Sequence, residues 1–441
     1  MVEQKNGDSN EFQILSQDLA DDMLTLKVKV DSEVVKRAYQ KVHKLLLRHV
    51  RVPGFRPGKV PQPVLMNAVG KENFAKEVRK ELLPTYYYNA LKNTEYKPLS
   101  EVNFEDEHLV NGEPFAFSAK VSVLPEGKIG EYKELKVKEL PPKPVEDDEI
   151  EKLLLERRKR YAKTRNADDN TVKDGDFLLL TFTVSIDGRD FHTLSRTNQT
   201  MIVGEDSYMP GFDANLIGKS KGEEFTFAID LPKKGLENKA LHGKKAMVKG
   251  KIKSVQRVEL PALDDEFAKD VGVESLAELK KKIKGDLEKE SERAAKEQYS
   301  EDLKKALADS VTVKFPDSLL NREIEERLEQ FKQQFEGKAY KFDDYLHESG
   351  KDEKALNDEL REKVVGDLKL QVALDQVAKN EGLSVTDEEF NQRIQLIGQA
   401  MRKDPEEILD QLDSSGRRII QHHELVREKA FDRVREIISG K

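Results

Sequence analysis

The run Val52-Pro53-Gly54-Phe55-Arg56-Pro57-Gly58-Lys59-Val60-Pro61 can be neither helix interior nor strand interior. Its two glycines relax the backbone, and its three prolines lock φ and remove amide donors. It reads as a stiff, exposed loop that holds Phe55, Arg56 and Lys59 outward. A helical pattern leads into it, with Val35, Ala38, Val42, Leu45 and Leu46 on one side. At about 100° per residue, Arg37, Lys41, Lys44, Arg48 and Arg51 gather on the opposite side. No Asp or Glu occurs between Lys36 and Lys59. A one-sided cationic helix feeding a rigid loop with an exposed aromatic suits a highly anionic surface, because each cation seated on a phosphate releases counterions. A charge run alone is usually a solvated helix face. The absence of acids and the rigid loop, in a chain of net charge −8, favour a docking site.

Working outward, residues 12–30 alternate as two strands around the turn-forming Asp21-Asp22, with Leu24, Leu26, Val28 and Val30 on one face. Beyond Pro61 a short helix ends at Gly70. A second runs over 71–92, with Phe74, Val78, Leu82 and Tyr86 in register and Pro84 expected to kink or break it. Strand signals return at Val102-x-Phe104 and Phe115 to Val123. Together these give a first α+β domain over 1–130, with the basic bend joining two of its helices.

Residues 131–165 read as an extended connector through Pro141-Pro142-Lys143-Pro144, then a helix capped by Asp147 or Asp148. Arg165 to Asn170 reads as a loop. Residues 166–258 are β-rich, with Asp187-Gly188 predicting a type I′ hairpin turn. From 259 to 441 helix follows helix. One long run carries Leu276 to Leu307, and Pro316 punctuates. Thr386-Asp387-Glu388-Glu389 is a capping box, Asp404-Pro405 opens a further helix, and Gly416 breaks the chain before the last. Breaks every twenty to thirty residues favour antiparallel arms over one long coiled coil.

At 441 residues the chain is too long for one core. Charged residues make up 36% and apolar ones 37%, which fits an extended, surface-rich, multi-domain α+β protein. With no cysteine, disulfides, thiol nucleophiles and Cys-based metal sites are excluded. Met1 to Asp8 lacks a signal pattern, and no stretch approaches the ~20 apolar residues of a membrane helix. The expectation is a cytoplasmic protein with no membrane partner.

Gly54-Phe55-Arg56-x-Gly58-Lys59-x-Pro61 resembles the ribosome-docking signature of the bacterial trigger factor family, and the order of regions is similar along nearly the whole chain. The usual pattern often has Lys after the Phe-Arg pair, where Pro57 stands here. The resemblance implies an N-terminal docking domain, an FKBP-like domain inserted in the chain, and an all-α C-terminal body with helical arms, to which the connector and helix at 131–165 would belong. It implies an ATP-independent chaperone that meets nascent or unfolded polypeptides at the large ribosomal subunit, beside the polypeptide exit, and leaves a homodimer off the ribosome open. Gly54, Phe55, Arg56, Gly58, Lys59 and Pro61 would dock, supported by the cationic helix face.

The region 166–258 is similar to FKBP-type prolyl isomerases. By that resemblance Phe182, Phe191, Val203, Met209 and Phe212 line the isomerase pocket. Such a pocket needs no charged catalyst, because twisting the X-Pro bond loses amide resonance and an apolar wall that favours the twisted amide is enough. From spacing alone, plain core of a small β domain is the favoured reading of all five. His192 stands where FKBP proteins commonly carry an acid, Val184 replaces a glycine, and Val248 stands where phenylalanine is usual. Leu231-Pro232-Lys233-Lys234-Gly235-Leu236 lacks the usual aromatic-histidine pair. These departures predict a weak or inactive isomerase.

Rival readings are a prolyl isomerase that acts mainly as an enzyme, and an RNA-binding adaptor. Gly218-Lys219-Ser220 mimics a phosphate loop, but Asp213 occupies the leading glycine's place. His422-His423 are adjacent and face apart, so neither a metal nor a cofactor is expected.

Overall fold

The computed structural model describes residues 11–439 except 57, 93, 168, 206–207, 234–237, 239–240 and 339. Pro57, the terminal stretch Met1 to Asp8, and Lys234, Gly235 and Leu236 therefore lie outside the described residues. The chain forms two compact units, and both are discontinuous in sequence. One comprises 1–136, 303–323 and 363–441, and the other 137–302 and 324–362.

The first unit is built on a five-stranded antiparallel sheet. Strands Phe12–Ala20, Met23–Val30, Phe115–Leu124 and Lys97–Pro98 lie in that order, and Asn103–Asp106 also pairs with Phe115–Leu124. Leu24, Leu26 and Val28 are wholly buried, as period-two alternation demands of a half-buried strand. On the core face lie helices Ser32–His49, Gln62–Val69 and Lys71–Lys92. Pro84 does not end the last of these, which continues through it to Lys92.

Helices Asp387–Met401, Pro405–Ser414 and Arg418–Ser439 belong to the same unit. The capping box is present: the Glu389 amide donates to Thr386 Oγ1 at 3.3 Å, and the Thr386 amide to Glu389 Oε2 at 2.8 Å. Asp404 caps its helix through the Glu406 amide at 2.9 Å.

The second unit holds a six-stranded sheet. Strands Arg196–Ile202, Phe177–Ile186, Lys245–Glu259 and Glu224–Asp230 lie in that order, with Lys163–Asn166 added to the long strand. Residues 163–166 are thus strand, where the sequence suggested a connector running into a loop. Their charged side chains hide the pattern, and pairing with Gln256 to Glu259 supplies the reason. Asp187 and Gly188 both have positive φ, 52° and 81°, as a type I′ turn requires.

Helix Asp147–Arg160 follows Glu146 rather than Asp147 or Asp148, and packs Ile150 and Leu154 against Phe267, Ala268, Leu279 and Ile283. A short helix, Phe342–Ser349, was not anticipated from sequence.

Candidate functional site

The basic bend is built from two tandem turns. The Phe55 amide donates to the Val52 carbonyl at 3.2 Å, and the Lys59 amide to the Arg56 carbonyl at 3.0 Å. Each turn places a glycine third, Gly54 at φ +86° and Gly58 at φ +80°. A side chain is strained in that backbone region, so the Pro-Gly repeat selects the turns. The base of the bend is fixed. Val60 is buried in the core, and a His43 ring nitrogen lies 2.8 Å from the Val60 carbonyl oxygen. Nothing in the local sequence marks His43 for this brace, which spans seventeen residues of chain.

Phe55 stands 42% exposed on this frame, and Gly54, Arg56, Gly58 and Lys59 are exposed beside it. Pro61 precedes the next helix as its cap residue. The structure divides the cationic stripe in two. Arg37 pairs with Glu11 at 2.5 Å, which raises the Arg37 pKa further, and Lys41 pairs with Glu81. Both acids come from other elements, so the acid-free sequence window did not reveal them. Lys44, Arg48 and Arg51 are exposed and carry no ion pair among the described residues. Positive charge is therefore concentrated at the loop end of the helix. Leu45, expected on the packed side, is 49% exposed there.

The second candidate site has opposite character. Phe182, Phe191, Val203, Met209 and Phe212 are brought together in one core, each no more than 4% exposed. Phe182 and Phe212 lie 5.0 Å apart between ring centroids. Tyr208, not singled out from sequence, stands 4.8 Å from Phe182 and 5.0 Å from Phe212, edge-on to both. Its hydroxyl donates to the Leu194 carbonyl. Burial pushes its pKa up to about 12, against the opposing charge effect of the nearby Arg196. Phe225 and Phe227 extend the ring cluster beneath Phe212. Val248 is wholly buried in the same core.

Of the remaining sequence features, His422 and His423 sit side by side, both with pKa lowered by burial, His423 to about 2. No group of three or more His, Cys, Asp or Glu suited to a metal occurs among the described residues. Among those residues no helix is long and apolar enough to cross a membrane.

A rigid cationic bend on an α+β domain, an aromatic-cored β domain and a helical body fit a class: multi-domain folding factors with an inserted prolyl-isomerase-like module. Family models agree. Residues 13–156 match the bacterial trigger factor protein, residues 275–436 match its C-terminus, and residues 168–251 match the FKBP-type peptidyl-prolyl cis-trans isomerase.

The trigger factor of Halothermothrix orenii is 31% identical over 422 residues, covering 96% of this chain and 98% of that one. That of Bacillus pumilus is 32% identical over 392 residues, covering 88% and 92%. A solved structure of a trigger factor chaperone, concerned with promiscuous substrate recognition in folding and assembly, spans 97% of this chain at 22% identity and a TM-score of 0.39. The chain belongs to the bacterial trigger factor family and carries an FKBP-type domain. The family is that of ribosome-associated chaperones acting on nascent polypeptides, and the chain is a chaperone of protein folding.

Proposed function

We propose that the chain docks on the large ribosomal subunit beside the polypeptide exit through Phe55, Arg56 and Lys59, with Gly54, Gly58 and Pro61 shaping the bend. Lys44, Arg48 and Arg51 supply supporting charge against phosphate. Arg37 and Lys41 contribute less, since internal acids already neutralise them. The protein works in the cytoplasm and holds apolar nascent segments without ATP, release being governed by affinity for unfolded chain. The observation that carries this reading is an aromatic side chain left 42% exposed on a braced, cation-flanked bend. Such exposure gains nothing for stability and suits a partner. Co-sedimentation with ribosomes tests it. The Phe55→Ala, Arg56→Ala variant is expected in the supernatant while its binding to bare RNA changes little. Equal pelleting of variant and wild type would sink the docking role.

The FKBP-type domain is proposed as a weak peptidyl-prolyl isomerase whose pocket comprises Phe182, Phe191, Val203, Met209 and Phe212. The support is their convergence, together with Tyr208, in one aromatic cluster. A proline-limited refolding assay on the full chain checks it. Modest acceleration, lost in Phe182→Ala, is the expected outcome.

A further inference from the structure

The Phe191 edge of the aromatic cluster is covered by the protein's own chain. Glu348, in the short helix Phe342–Ser349, is only 6% exposed. A buried carboxylate needs donors, and this one takes them from the β domain. Its oxygens accept the backbone amides of His192 and of Thr193, the latter at 2.9 Å, and the Tyr340 hydroxyl at 3.3 Å. One residue earlier, the His347 ring lies 5.2 Å from the ring of Phe191. The Tyr340 ring stands edge-on to His192 at 5.9 Å. Two residues after Glu348, Gly350 presses so closely on the Asn238 side chain that a Cβ would collide with its amide.

The stretch Tyr340 to Gly350 thus grips both the rim after Phe191 and Asn238, in the segment after Leu231. Phe191 is left 3% exposed. The His347 ring lies against it.

We propose that the segment Tyr340–Gly350 is an intramolecular cap on the isomerase pocket, latched by Glu348, and that a polypeptide substrate must displace it. This rests on the pocket reading above. Apparent affinity for a proline peptide equals intrinsic affinity scaled by the uncapped fraction. Losing charge-assisted hydrogen bonds at the latch should raise that fraction about tenfold.

The test uses the full chain, with Glu348→Ala and His347→Ala made separately. The probe is a fluorescent tetrapeptide, Ala-Leu-Pro-Phe, read by anisotropy and by isomerisation. Hydrogen exchange is followed at the His192 and Thr193 amides. In Glu348→Ala those amides should exchange faster and the peptide should bind about tenfold more tightly. His347→Ala should shift binding the same way by less.

Faster exchange with unchanged or weaker peptide binding in both variants overturns the cap. So does exchange already as fast in the wild type. Tighter binding with no isomerisation in any form keeps the cap and removes the isomerase role. Equal binding with equal isomerisation in all forms does the reverse.

Discussion

The bend at 52–61 and the cluster around Phe212 use the same side chain in opposite ways. Phe55 is held in solvent by a frame of local turns, whereas Phe182 and Phe212 are lost from solvent in a core. The frame of the bend costs little and contributes little to stability. Its worth lies in geometry, since a pre-set loop loses less entropy on docking. The cluster derives its geometry from burial itself, at roughly 25 cal/mol per Å² of apolar area. Substitution should therefore separate binding from stability at the bend and join them at the cluster.

The sharpest break comes from Phe212→Ala. Removing a wholly buried ring should cost about 3–5 kcal/mol. Hydrogen-exchange protection across the strand Phe177–Ile186 reads this loss, while ribosome co-sedimentation should persist. Next comes Phe55→Ala with Arg56→Ala, where ribosome affinity should fall at least tenfold, about 1.4 kcal/mol, with unfolding shifted by less than about 0.5 kcal/mol. A loss of several kcal/mol of stability would show that the bend is core after all.

Gly58→Ala sharpens the contrast further. Beyond its two chain neighbours nothing lies within 4 Å of the added methyl, so the main effect is the strain of a positive φ, about 1 kcal/mol. Denaturant melting should register that cost, and docking should weaken in parallel.

The smallest effect at neutral pH belongs to Tyr208→Phe. Because burial raises the folded pKa to about 12 from 10, the contribution of the neutral phenol is fully present below about pH 10. It is lost as pH rises through 12. The variant should flatten that alkaline limb, as followed by the melting temperature between pH 9 and 12.

Legibility followed the range of the forces. The hairpin turn at Asp187-Gly188, the capping box at Thr386 and the N-cap at Asp404 are settled within four residues, and the structure bears all three out. The strand Lys163–Asn166 was not legible, because its partner lies some ninety residues away and its side chains show no apolar alternation. The helix Phe342–Ser349 escaped because it is short and rich in polar residues. At the bend, composition foretold stiffness and exposure but not the His43 brace, nor the acids Glu11 and Glu81 that quiet two of the five cations in the stripe.

By itself the sequence determined most of the succession of elements and the Pro-Gly turns that hold Phe55 outward. Those follow from backbone preferences and periodicity, which act between near neighbours. Only the tertiary structure decided which cations keep their charge for a partner, that Tyr208 joins the rings, and that Glu348 reaches the amides after Phe191. Each depends on groups far apart in the chain meeting in space, where burial and the need to satisfy every buried polar group choose the partner.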